Sequence, residues 1–235
     1  MDWLHAIATR ATPVAHGPAL STPQLVAVLV VAFVAVGFAP FWRVLRLAVT
    51  LVHELGHAVV GIAVGRSFTG FVLRGDMSGH AVTRGPVHGL GRVTTTWAGY
   101  PMPALVSAGT IWLAGRGWSA PVVTTALAVL LLALIRVRSV LTALVMVVSI
   151  AATFSLWWWR NDALQPQVLF GAGVVLLIGG WRHLLAVVRD RGRGSDPAVL
   201  AGLTPVPRAV WDFSFVVVFG LATWLLAAEV VTIVR

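Results

Sequence analysis

The sequence contains no cysteine and no lysine, a single tyrosine (Tyr100) and two glutamates, Glu54 and Glu229. The missing cysteines exclude disulfides, thiolate metal sites and cysteine nucleophiles together. Charge is also scarce, at 11% of residues against 58% hydrophobic, with a mean hydropathy of +0.90. Soluble domains are about a quarter charged, so a water-soluble globular enzyme is excluded, and disorder with it. A chain of 235 residues cannot hide that much apolar surface in one core, so lipid must solvate part of it. The net charge is +9, yet no basic stripe interleaved with aromatics marks a nucleic-acid surface. The arginines instead punctuate apolar runs, where they act as topology signals.

Residues 1–24 read as an amphipathic or unstructured lead-in without the pattern of an export signal. Residues 25–235 read as one membrane-embedded domain. Its apolar runs span 25–42, 47–64, 93–115, 117–135, 139–159, 163–181 and 213–234. Each approaches the length of about 20 residues that a crossing helix needs, so seven crossings are expected, with six also allowed. The fold class expected is therefore an all-α polytopic membrane protein. A β-hairpin-like insertion interrupts it within 66–92, where Gly70, Gly75-Asp76 and Ser78-Gly79 supply turn formers. With seven crossings, Arg43, Arg46, Arg116, Arg160 and Arg235 fall on one side and the other twelve arginines on the opposite side. The positive-inside rule then places the N-terminus, the 66–92 insertion and the 182–208 loop in the cytoplasm.

The second run contains His53-Glu54-Leu55-Gly56-His57, an H-E-x-x-H pattern in an apolar helix. Four residues bring a helix little more than one turn round, so both imidazoles stand on one face and can grip one zinc ion. Glu54 stands beside them, placed to hold a water and accept its proton. Composition alone predicts roughly 0.002 chance matches to this pattern in the chain. Ionisable side chains in a spanning helix also cost about 2.5 kcal/mol or more each, so three of them together require a use.

The run HELGHAVVG, followed by GRSFTGFVLRGDMSGHAVTRG and AGYPMPALVSAG, resembles the M50 site-2-protease class of intramembrane zinc metalloproteases. It is most similar to the bacterial M50B-like branch, over about Val44 to Trp211. The resemblance implies zinc-dependent hydrolysis of peptide bonds in membrane-bound protein substrates, within the lipid bilayer of a bacterial cell. It also implies a third zinc ligand from a later Ser-Asp-Ala-like motif, here Ser195-Asp196-Pro197-Ala198, followed by Leu200, Leu203, Thr204, Pro207 and Trp211. From spacing alone, Asp196-Pro197 also reads as a helix cap with a first-turn proline. Asp76, His80 and His88 are rivals for the ligand place. His80 and Phe71 are candidate substrate contacts, Phe71 through the strand Phe68 to Leu73, on which an extended peptide can pair. Two other readings stand beside the hydrolase: a membrane scaffold that keeps the motif without cleaving, and a zinc transporter. A transporter needs ligands at successive depths, whereas one cluster dominates here.

Overall fold

The structure, a computed structural model, describes residues 3–14, 20–75, 78–189, 192 and 194–235. A short helix, α1 (Trp3–Ala11), precedes two helices joined at Phe38, α2 (Thr22–Gly37) and α3 (Ala39–Ala63). Two strands follow, β1 (Ser67–Leu73) and β2 (Gly79–Arg84), paired antiparallel with Phe71 opposite Ala81 and Leu73 opposite Gly79. The remaining elements are helical: α4 (Leu90–Trp97), α5 (Pro101–Ala114), α6 (Ser119–Leu134), α7 (Val140–Trp158), α8 (Leu164–Arg189), α9 (Asp196–Leu203) and α10 (Arg208–Val234). The expected all-α membrane architecture with a hairpin after the histidine helix is therefore present.

By length and composition, α3, α7, α8 and α10 can each cross a membrane, and α2, α5 and α6 are shorter apolar helices. These seven correspond to the seven apolar runs, with two corrections. The run expected over 93–115 is broken between α4 and α5, because Tyr100-Pro101 opens a new helix whose first turn carries the proline. The second correction concerns direction. Helix α2 runs parallel to α8, with Val28 against Gly171 and the Val36 carbonyl accepting from Arg182. Helices α5 and α10 run the other way, with Pro103 and Phe219 against Gly180.

Helix α3 meets only one end of this bundle. Trp42 stacks under Arg182 (4.1 Å) and Val49 packs on Gly179, both in the C-terminal half of α8. Further on, Gly56 lies against Ala98 and Met102, Leu51 clusters with Phe71 and Met146, and Gly61 faces Thr83 and Thr95. Both ends of α3 thus lie towards the same end of the bundle, and the helix packs across it rather than through it. Six helices, α2, α5, α6, α7, α8 and α10, run from end to end.

That arrangement moves the N-terminal helix. Arg10 of α1 donates to the Trp158 carbonyl (3.2 Å) and lies over the Trp157 and Trp158 rings, and the Val14 N–H donates to the Gly117 carbonyl. So α1 sits with Arg116 and Arg160, at the end away from 66–92, contrary to the grouping expected from seven crossings. The expectation counted α3 as a full crossing, and one crossing too many reverses everything before it.

The hairpin is fixed to the bundle on one side. Phe71 donates its N–H to the Arg136 carbonyl and accepts from the Arg138 N–H, while the Arg138 guanidinium donates twice to the Thr69 carbonyl. Leu73 N–H donates to the Thr142 hydroxyl (2.7 Å). Gly70, at φ +148°, leaves room for the Arg138 side chain, since a Cβ there would lie 2.3 Å from its Nε.

Candidate metal centre

Within α3 the apolar side chains Leu51, Leu55 and Ala58 pack into the protein, and His53 and His57 share a face one turn apart. Their rings meet edge to face with centroids 4.8 Å apart, and their Nε2 atoms are 3.2 Å apart. The first residue of α9, Asp196, brings its Oδ2 to 3.3 Å from each of those nitrogens. Its place is set by the Ser195 turn and by Leu200, which is fully buried against Leu184, Val187 and Phe215.

Three donors at 3.2, 3.3 and 3.3 Å form a nearly equilateral triangle. Tetrahedral coordination with bonds of about 2.0–2.1 Å to nitrogen and oxygen puts ligand atoms about 3.3 Å apart, so this donor set has the spacing of three corners of a zinc site. Among the described residues it is the one such His/Asp/Glu group. The tautomer is also suitable. His57 Nδ1 lies 2.7 Å from the Thr95 carbonyl, which can only accept, so Nδ1 carries the proton and Nε2 keeps its lone pair for the triangle. Space for an ion comes from Gly99: a Cβ there would lie 2.4 Å from His57 Nε2 and 2.7 Å from His53 Nε2. Among the described residues, Asp196 Oδ2 is buried with no hydrogen-bond partner other than these nitrogens, so it is available as the third donor. The residues fit zinc.

Glu54 is 3% exposed, and its Oε2 is buried without a hydrogen-bond partner. A carboxylate buried so deeply without a cation or donor is costly, and such groups are expected to meet something from outside the chain. Tyr100 packs edge-on to His53 (4.8 Å) and stacks on Phe215 (5.2 Å), bracing the first histidine.

The profile of the Peptidase M50B-like family matches residues 26–226. The chain belongs to that family. Its members are membrane metallopeptidases, generally zinc-dependent, and the apolar helices make this chain an integral membrane protein. No curated protein and no solved structure matches the chain at a meaningful level.

The other expected site residues fall in different places, His80 beside Gly79 and Glu54, and Phe71 in the core. Phe71 is fully buried, packed with Leu51, Leu73 and Met146, so its side chain is part of the core. Nor can β1 accept a peptide at its outer edge, because residues 136–142 already occupy it. His80 is exposed on β2, and His88 is exposed in the loop before α4. Asp76 lies outside the described residues. An apolar groove of about 490 Å³ lies between α3 and α6, lined by Leu55, Val59, Ile62 and Leu132. It occupies the face of α3 opposite the two histidines and is not the metal centre. Gly79 and Gly99 escaped the sequence reading; their one signal was a glycine in each of the segments SGH and AGYP.

Proposed function

We propose that the chain is a zinc-dependent endopeptidase hydrolysing peptide bonds of membrane-bound proteins. His53, His57 and Asp196 would hold the metal, and Glu54 would be the general base and acid. The donor triangle at tetrahedral spacing carries this reading. Bound zinc supplies Lewis-acid polarisation of the scissile carbonyl and lowers the pKa of a water at the site. Glu54 follows His53 in the helix and is turned about 100° from it, so its carboxylate stands beside the donor triangle and not in it. With Oε2 free, it takes the proton of the attacking water and delivers it to the leaving amine nitrogen. Thr95, through His57, and Tyr100, against His53, keep both imidazoles in place while the proton moves.

A helical substrate hides its carbonyls in hydrogen bonds and must be extended before attack. Ala81 and Gly79 face Phe71 and Leu73, whose backbone groups are turned towards 136–142. In an antiparallel ladder the N–H and C=O groups of Gly79 and Ala81 then point to the open edge of β2. That edge and the segment Thr95–Gly99 flank α3 on either side of Glu54 and the histidines. We place the extended substrate there, running along β2 by strand addition.

The decisive experiment compares the wild type with Glu54→Gln and Asp196→Asn in lipid, using a reconstituted transmembrane substrate. Glu54→Gln should keep zinc and lose about 10²–10⁴-fold in turnover. Asp196→Asn should lose zinc affinity by at least about tenfold. Unchanged zinc and turnover in both would refute the assignment.

We further infer that the metal centre lies towards the cytoplasm and the N-terminus on the outer side. Arg10, Arg116, Arg160 and Arg235 belong to the α1 end, and most other arginines flank the end with the metal centre, the end held inside by the positive-inside rule. The chain has no native cysteine, so single cysteines report sidedness directly. Asn161→Cys should react with an impermeant maleimide on intact cells, and Gly202→Cys only after lysis.

A further inference from the structure

We propose that Gly79 is a positioning residue for Glu54: the bare backbone of the first residue of β2 closes on the Glu54 carboxylate and sets where it stands. A Cβ at Gly79 would lie 2.2 Å from Glu54 Oε1 and 2.7 Å from its Cδ and Cγ, all inside the 3.0 Å that real contacts keep. Something must yield, and neither backbone can. Helix α3 cannot back away, because Gly56, two residues on, is already seated on Ala98 and Met102, where a Cβ would meet atoms at 2.7–2.8 Å. The hairpin cannot lift either. Leu73, the partner of Gly79, is 1% exposed and tied to Thr142, and Phe71 is tied to Arg136 and Arg138. Any side chain at 79 therefore displaces the Glu54 carboxylate itself. Gly75, in the same hairpin turn, has nothing within 4 Å of a built Cβ, so close approach belongs to Gly79 and not to the turn at large.

The position has a second consequence. Gly79 also presents unpaired backbone groups at the open edge of β2, so a peptide added there passes the base at the residue that positions it. The strand that receives substrate and the carboxylate that moves the proton are then held in one register. This inference rests on the hydrolase reading above.

The test uses the full chain in lipid, with zinc content, kcat and KM measured separately for wild type, Gly79→Ala, Gly75→Ala, Glu54→Asp and Glu54→Asp/Gly79→Ala. Gly79→Ala should keep its zinc and its KM and lose about 10²-fold in kcat, the cost of a misplacement near 1 Å. Gly75→Ala should match the wild type. Aspartate at 54 is one methylene shorter and withdraws from the new methyl, so adding Gly79→Ala to Glu54→Asp should cost far less than it does alone. A kcat for Gly79→Ala within about twofold of wild type, or the same fold loss in both backgrounds, overturns the proposal. Loss of zinc or aggregation of Gly79→Ala overturns it too, since the glycine would then serve folding. A wild type that binds zinc but cleaves nothing defeats the hydrolase reading instead.

Discussion

The two ends of the bundle differ in which acids they leave without an arginine. At the α1 end both described acids have found arginines: Glu229 pairs with Arg116 (2.8 Å) and Asp162 with Arg160 (2.7 Å). Arg10 and Arg116 also lie over the Trp158 and Trp112 rings. These contacts close on themselves and anchor helix ends beside aromatic belts. At the other end Asp212 pairs with Arg208 (3.5 Å), but Asp196 faces two histidines and Glu54 faces a glycine. Among the described residues those two acids meet no arginine, although an arginine pairs with Asp212 close by. Under the proposed function, the α1 end is closed by its own residues and the other end would be completed by a metal and a peptide.

The contrast can be broken most severely at Gly99. Gly99→Ala puts a methyl group 2.4–2.7 Å from both Nε2 atoms, so zinc content and peptide cleavage should both disappear, as metal analysis and a cleavage assay would show. A zinc-loaded, active Gly99→Ala protein would remove the cradle from the account. Next is Phe71→Ala, which empties a fully buried site under the hairpin and should cost about 3–5 kcal/mol in reversible unfolding. Smaller again is Thr142→Val. It leaves the buried Leu73 N–H without its acceptor, worth about 1–3 kcal/mol, and should lower kcat before zinc content, because the hairpin carries Gly79. The smallest effect belongs to the opposite end. Arg116→Ala breaks a pair whose arginine is 44% exposed, so stability should fall by about 0–1 kcal/mol with cleavage unchanged. If Arg116→Ala reduced cleavage as Gly99→Ala does, the two ends would not be functionally separate.

Much of this was legible beforehand. The H-E-x-x-H helix, the apolar runs and the hairpin are local patterns, and local patterns survive without knowledge of the fold. The break at Tyr100-Pro101 was visible as a proline but hidden inside an unbroken apolar stretch. The direction of α3 was not legible, since hydropathy measures only how apolar a segment is and not whether it passes through its neighbours. The burial of Phe71 was not legible for a related reason: an apolar strand residue looks the same whether its face is open or packed on Leu51 and Met146. Arg138, one of the arginines that punctuate the apolar runs, also ties the α6–α7 loop to Thr69, a contact that composition does not announce.

Composition and short-range periodicity determined that this chain lives in lipid, that two histidines share one helical face, and that a glutamate stands next to them. These follow from solvation and from the helical repeat, which need no distant partner. The family resemblance named Asp196, but tertiary structure alone set it at 3.3 Å from both imidazoles, and alone decided that Gly79 and Gly99 are bare where the carboxylate and imidazoles press and which end of the bundle the N-terminus joins. Each of these depends on which backbone comes within a few ångströms of another, and nothing in the spacing of residues along a chain encodes that.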